Sequence, residues 1–503
     1  MSATLIDAFV AAAKAAPDTA FVGVSEDRPS VGTLREIVSA GRRIGTRLAA
    51  TGIAPGDIIG VMLPNWREWL VACVATQQAG AVMLPIVSIY GARELGFILR
   101  QSRAKLLITP DRWRTIDYTA LVADCGALPD LERHVRLGGE FAALEAEGLA
   151  ADSVARDPND LAMLFYTSGT TADPKGVMHS SKTILAELAA QQAARAEIDC
   201  EVVLTPWPPG HVAGALSLLR FLACGVPIVA MDQWNAANAA ELIDRYRVTT
   251  SSGTPFHLSG IAEAADANGQ DLSSLRNYIV GAAPVPPSLV ERCLAQGLAV
   301  YHCYGSSEHP TVTSGTAEDP LDKQLNTEGR AIPGSEMRFV DDDGNEVGEG
   351  EDGEICTRGA ELFIGYLDAT LNEAAFLPGG WYRTGDIGRL DADGYLLITD
   401  RKKDIIIRGG ENISSKEVEN VLLGHPTVAE VAVVAAPDDR MGEVVRACVV
   451  LRAGETLTLD DVRAHFAAAG IARQKTPERL TLVDALPRNA SGKVLKHVLR
   501  DQP

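Results

Sequence analysis

From residue 33 to about residue 300, short apolar runs alternate with helical patterns: DIIGVML, AVMLPIV, AKLLIT, PIVAM and NYIVGAA punctuate the stretch. A run that is apolar almost throughout, not at every second position, is a strand covered on both faces, and crossover helices provide such cover in a parallel sheet. This rhythm demands an α/β fold with largely buried sheets. Over 336–400 the pattern changes to short strands separated by DDDGN, GEGEDG, LPGG and DADG. Their Asp, Asn and Gly residues suit hairpin turns, so a β-rich module follows. Beyond residue 404, a helix opened by a Ser414 to Glu417 capping box, strands at 429–436 and 444–451, and helices near 460–469 and 491–500 predict a small α+β domain. The expected division is therefore 1–400 and 401–503, with residues 401–404 as the hinge.

Composition narrows the class. A chain of 503 residues with 46% hydrophobic content and 22% charge can bury large cores and should form at least two domains. The net charge of −20 argues against nucleic acid as a partner, because phosphate-held complexes need clustered Lys and Arg. Residues 401–503 hold 16 Lys or Arg against 14 Asp or Glu, so the negative charge lies on the first 400. The eight cysteines (73, 125, 200, 224, 293, 303, 356, 448) include no CxxC pair, which suggests neither zinc site nor disulfide framework but buried thiols in a reducing cytoplasm. The N-terminal MSATLIDAFVAAAKAAP carries Asp7 and Lys14 within its apolar stretch and reads as a short amphipathic helix, not a signal peptide. The apolar run from Trp69 to Val87 is broken by Gln77 and Gln78, and no stretch reaches the ~20 uninterrupted residues of a membrane span.

The segment YTSGTTADPKG, residues 166–176, directly follows the strand-like run LAMLF. An ordinary polar turn, a nucleoside-triphosphate loop, a different phosphate loop and a flexible linker all merit weighing. A GxxxxGK[ST] loop places its lysine after the second glycine, whereas Lys175 precedes Gly176. A linker would not follow a strand so closely. What remains is a strand-to-loop turn whose backbone N–H groups and Ser168, Thr170 and Thr171 hydroxyls enclose phosphate oxygens, with Lys175 as a point charge.

This segment resembles YTSGTTGxPKG of the adenylate-forming acyl-CoA synthetases. Four further motifs follow in that family's order: YGSSE at 304–308, WYRTGD at 381–386, DRKKDIIIRGGENI at 400–413 and PRNASGK at 487–493. The resemblance implies a large N-terminal domain of two α/β subdomains plus a β-barrel-like part, capped by a small mobile α+β C-terminal domain. It also implies a reaction in which a carboxylate attacks the α-phosphate of ATP, giving acyl-AMP and pyrophosphate, before coenzyme A displaces AMP. Two anions meet in the first step, which calls for cations and dipoles aimed at phosphate.

By the same resemblance Thr167, Ser168, Gly169, Thr170, Thr171 and Lys175 surround the phosphates. Gly281, Ala282 and Ala283 flank adenine, Tyr304 stacks on it, and Gly305, Ser306 and Ser307 lie near the α-phosphate. Glu308 is the Mg2+ ligand, Asp386 with Arg401 grips the ribose, and Lys493 bridges carboxylate and phosphate. Lys403 is the pivot, while Gly409 and Gly410 reach the coenzyme A tunnel. Trp207, His211, Val212, Gly253 and Gly281 line the acyl pocket, with His211 as its gate.

Two departures stand out. Alanine at 172 replaces the family's second loop glycine and costs ~1 kcal/mol if that position needs positive φ. WPPG precedes His211 where the family is commonly phenylalanine-rich, and no aspartate stands nearby to hold a substrate ammonium, which favours a simple carboxylic acid. The expected activity is an ATP- and Mg2+-dependent acid:CoA ligase for a medium-chain, aromatic or alicyclic acid. The alternatives are a ligase that loads a carrier protein and, from another class, a non-catalytic adenylate-binding regulator. Joint retention of Lys175, Glu308, Asp386, Arg401 and Lys493 speaks against the regulator. A homo-oligomer is compatible with the sequence, and a GK turn at Lys493 would be open to a lysine acetyltransferase, which would remove the charge.

Overall fold

The apolar runs of the first 300 residues assemble into two sheets. One is nine-stranded, with Ala299–Tyr304, Asn277–Val280, Thr250–Gly253, Val203–Thr205, Ile228–Met231 and Ala20–Val24 parallel and side by side. The other is seven-stranded, with Leu161–Thr167, Val82–Pro85, Ile58–Val61, Leu106–Thr109 and Arg133–Arg136 parallel in that order. The protein is described by a computed structural model over residues 3–146, 151–167, 174–194, 201–281, 287–402, 404–409, 411–438, 440–469, 471–489 and 492–500.

Helices cover both faces, as the uninterrupted apolar runs require. Helix Arg67–Gln78 is buried along nearly its whole length, and helix Leu34–Ala50 packs against it with one apolar face. The N-terminal helix, Leu5–Ala15, starts at a capping box between Thr4 and Asp7 and buries Leu5, Ile6 and Phe9. The stretch with hairpin signals becomes a five-stranded antiparallel sheet of Glu336–Val340, Gly353–Arg358, Phe376–Leu377, Trp381–Leu390 and Leu396–Arg401. Its DDDGN and DADG turns close with Gly344 N–H donating to Asp341 O and Gly394 N–H to Asp391 O.

The C-terminal residues build a separate core of Val418, Leu422, Val433, Val445, Val449, Val462 and Phe466. Its strands are Val428–Asp438 and Gly442–Leu451, and helix Leu459–Ala468 packs beside them. Two local expectations change. The Ser414 hydroxyl accepts from Glu417 N–H at 3.1 Å, but the Glu417 carboxylate holds Lys475 Nζ at 2.7 Å instead of turning back to the cap, so only half of the capping box is used. The last helix spans Lys496–Arg500, not 491–500. Gly492 at φ +80 and the Asn489 side chain, which accepts from Lys493 N–H at 2.9 Å, form a turn that delays its start.

Candidate active site

Parallel sheets present their carboxyl ends to ligands, and here those ends open into a cavity of about 910 Å3. Ser252 and Gly253 end one strand, Gly281 follows the next, and the turn after Ala299–Tyr304 contributes Gly305, Ser306, Ser307 and Glu308. The second sheet adds Thr167 and Lys175, cross-strand partners at the mouth of the hairpin that follows LAMLF. The five-stranded sheet adds Asp386 and Arg401. Lys493, from the far end of the chain, lines the same cavity. Five sequence motifs thus meet in one place.

The Tyr304–Glu308 turn is held from behind. A Cβ on Gly305 would lie 1.9 Å from Pro310 O, so only glycine permits this backbone approach. The Ser306 hydroxyl accepts from the N–H groups of Glu308 and His309, each at 3.2 Å. Buried His309 sits with Nδ1 2.9 Å from the Thr357 hydroxyl and Nε2 3.2 Å from a Glu361 carboxylate oxygen. His179 Nε2 donates to Ser307 O at 2.8 Å, which leaves Nδ1 to accept from Thr183 Oγ1. Burial pushes the His179 pKa down to about 4, so this ring is neutral.

Glu308 lies on the opposite side of the turn, with Oε1 accepting from Tyr366 OH at 2.7 Å. Burial, and then the Glu308 charge, raise the Tyr366 pKa, so the phenol remains a donor. Lys175 Nζ stands 5.3 Å from the centre of the same ring. Asp386 receives Tyr304 OH at 2.8 Å on one oxygen and Arg401 Nε at 2.8 Å on the other. The Tyr304 hydroxyl is therefore tied to this carboxylate, and the residue is not among those that line the cavity.

Elsewhere along the cavity, Trp207 Nε1 donates to Ser252 Oγ at 2.9 Å. His211 precedes helix Val212–Cys224, and its buried Nε2 has no hydrogen-bond partner among the described residues. Burial pushes this ring down to about 4. Val212, Ala213, Leu216, Ser217 and Arg220 form the cavity-facing stripe of that helix.

The structure brings together Thr167, Lys175, Trp207, His211, Val212, Gly253, Gly281, Gly305, Ser306, Ser307, Glu308, Asp386, Arg401 and Lys493. Gly409 does not line this cavity: it has φ +59, and its N–H donates to Met441 O at 2.8 Å. Ser168, Gly169, Thr170, Thr171, Ala172, Ala282, Ala283, Lys403 and Gly410 lie outside the described residues. Sequence reasoning missed Tyr366, Tyr382, His179 and His309. Only Tyr382 had a signal, its place inside WYRTGD.

The AMP-binding enzyme family model matches residues 9–367, and that of the AMP-binding enzyme C-terminal domain matches 417–493. The chain belongs to the AMP-binding enzyme family. Among its relatives, it is 33% identical to a medium-chain fatty-acid–CoA ligase of Escherichia coli, over 99% of this chain and 90% of that one. It is 36% identical to the 3-[(3aS,4S,7aS)-7a-methyl-1,5-dioxo-octahydro-1H-inden-4-yl]propanoyl:CoA ligase of Rhodococcus jostii, over 92% of each. Among solved structures, ATP-bound MatB from Rhodopseudomonas palustris aligns with a TM-score of 0.90 at 27% identity, covering 100% of this chain and 99% of that one. The o-succinylbenzoate CoA synthetase of Bacillus subtilis, in complex with its acyl-adenylate, aligns at 0.85 and 28%, covering 99% and 98%. The expected family, fold class and acid–thiol ligase class all agree with these AMP-binding enzyme relatives.

Proposed function

We propose that the protein is an ATP-dependent acid:CoA ligase that forms an acyl-adenylate and then an acyl-CoA. One observation carries this reading: Lys493 lines the same cavity as Thr167, Lys175, Glu308 and the Asp386–Arg401 pair, although more than a hundred residues separate it from most of them. In the first step a carboxylate oxygen forms a bond to the α-phosphorus and the bond to the pyrophosphate oxygen breaks. Lys493 offsets the negative charge where the two anions meet, and Lys175 faces the departing phosphates. Asp386, already fixed by Tyr304 and Arg401, accepts ribose hydroxyls without reorganising. In the second step the coenzyme A thiolate attacks the acyl carbon and AMP leaves with the bonding electrons.

Glu308 suits a magnesium ion that arrives with ATP. Among the described residues no group of three or more His, Cys, Asp or Glu is arranged to hold a metal alone. A single carboxylate beside substrate phosphates is how Mg2+ is commonly held, with water completing its shell. Among the described residues no helix is long and apolar enough to cross a membrane. Among the described residues Cys73, Cys125, Cys224, Cys293, Cys356 and Cys448 are free thiols, the state that a reducing compartment such as the cytoplasm maintains.

The acid binds along helix Val212–Cys224. From Val212 to Arg220 a helix rises about 12 Å, with Trp207, Leu216 and Ile279 as apolar wall and Ser217 and Ser252 as hydroxyl-bearing wall. That length exceeds what acetate needs and suits a medium-chain, aromatic or alicyclic acid. Pyrophosphate release and coenzyme A consumption across a panel from acetate to decanoate, with aromatic and alicyclic acids added, test the reading. The larger acids should give the higher kcat/KM. A marked preference for acetate overturns the pocket argument, and release of no pyrophosphate with any acid overturns the ligase reading.

A further inference from the structure

The loop that carries Lys493 rests on a particular seat, the start of helix Pro255–Asn268. A Cβ built on Gly492 would stand 3.4 Å from Thr254 Oγ1 and 3.5 Å from His257 Cε1, the spacing of ordinary contact. Beside this contact Arg488 makes three connections. Its NH1 donates to Gly492 O at 2.6 Å, its NH2 pairs with Glu430 at 2.5 Å, and its guanidinium carbon lies 5.9 Å from the centre of the Phe256 ring. The first fixes the loop's shape and the second ties it to strand Val428–Asp438. The third is the one that reaches across to the large N-terminal part.

Phe256 is 50% exposed even with Arg488 beside it. The seat beneath it is firm. Thr254 and His257 form a capping box, with His257 Nδ1 accepting from Thr254 N–H at 3.1 Å. The His257 ring meets Trp234 edge-on at 4.4 Å, and Trp207 at 5.8 Å. Trp207 is itself a wall of the acid side of the cavity. A rigid aromatic cluster therefore joins the acid pocket to the surface on which the lysine loop lands.

We infer that Phe256 is a positioning residue for Lys493: it seats the 488–493 loop through Arg488 and thereby holds the lysine in the cavity for adenylation. The inference rests on the ligase reading for its kinetic consequence but not for the docking itself. Within the body the Phe256 ring meets His257 edge-on at 5.7 Å, yet half of its surface stays exposed on the side where the loop lands. A guanidinium over its face gives a weak, orientable contact, suited to a loop that must land and leave.

The test uses Phe256→Ala, Phe256→Tyr and Arg488→Met in the full chain. Because Phe256 is half exposed, its truncation leaves the fold intact. ATP–pyrophosphate exchange should slow by roughly threefold to tenfold in Phe256→Ala, the scale of losing one cation–aromatic contact and its packing. The loss should fall on kcat, with KM for the acid unchanged, and Phe256→Tyr should restore it. Thioester formation from supplied acyl-adenylate should proceed at the wild-type rate, and adding Phe256→Ala to Arg488→Met should cost nothing further. Equal loss in both half-reactions, or normal exchange, overturns the inference. Amide hydrogen exchange over 488–500 gives a readout independent of activity: it should rise in Phe256→Ala, and no change there overturns the seat whatever reaction the protein performs.

Discussion

Lys493 is placed by its backbone: its N–H donates to the Asn489 side chain and its carbonyl accepts from Asn489 N–H, both at 2.9 Å. Because these bonds use no part of the side chain, Lys493→Ala keeps the loop while removing the cation. Acyl-AMP formation should fall by roughly 10² or more, the scale of losing one preorganised electrostatic contact. Thioester formation from supplied acyl-AMP should survive. Pyrophosphate exchange and coenzyme A consumption, measured separately, decide it, and equal impairment of both steps would remove Lys493 from the adenylation role. Residues such as Lys493, Glu308, Asp386 and Arg401 were legible because each sits inside a short motif. Tyr366 and His179 were not, because their roles arise from pairing across 58 and 128 residues, with Glu308 and with Ser307. Tyr304 was legible as a site residue, but its hydroxyl bond to Asp386 was not, since that bond forms only when two sheets meet.

At the scale of elements, buried histidines join the turns to the sheets. Burial pushes His179, His211 and His257 to about 4. In the unfolded chain each titrates near 6.5, so between roughly pH 6.5 and 4 the unfolded state binds protons that the folded state refuses. Their contribution to stability is complete above the unfolded value, shrinks as pH falls through this window, and changes no further below it. Each proton contributes about 1.4 kcal/mol per pH unit. Asp400 and Glu419, which burial raises, act in the opposite sense, so the useful quantity is a difference. Denaturant unfolding from pH 7 to 4.5 should show a shallower acid loss in His179→Gln than in wild type, by about one proton, whatever the offset at neutral pH. Parallel slopes would mean that His179 is not held neutral. Most elements were visible in their periodicity, because apolar runs and hairpin turns are local signals. The terminal helix was overextended because the turn at Asn489 and Gly492 interrupts an otherwise helical pattern.

For the whole molecule, the weight of contacts between the C-terminal part and the rest decides how it works. Each has its own hydrophobic core. Between them run polar contacts: Ser414 OH to Thr399 O at 2.7 Å, Ser415 N–H to Asp400 at 2.8 Å, Lys416 to Glu328 at 3.6 Å, and the Arg488–Phe256 approach. Contacts of this kind are worth on the order of 1 kcal/mol each, so relative motion is the natural expectation. The pose with Lys493 in the cavity suits the proposed adenylation, and Gly409 is not among the residues that line that cavity. We propose that the cap turns about Lys403, two residues past the end of strand Leu396–Arg401 and close to the 400/401 division expected from the sequence. That residue lies outside the described ones, between Lys402, whose Nζ holds Asp342 at 2.7 Å, and Asp404, which pairs with Arg500. Proline at 403 would fix φ and remove an N–H, restricting rotation without touching the substrate. Lys403→Pro should keep pyrophosphate exchange but lose thioester formation from supplied acyl-AMP, the reverse of Lys493→Ala. A Lys403→Ala control separates loss of the side chain from loss of rotation and should retain both steps. If Lys403→Pro makes thioester at the wild-type rate, the cap does not turn at this residue, and one pose must serve both halves of the reaction.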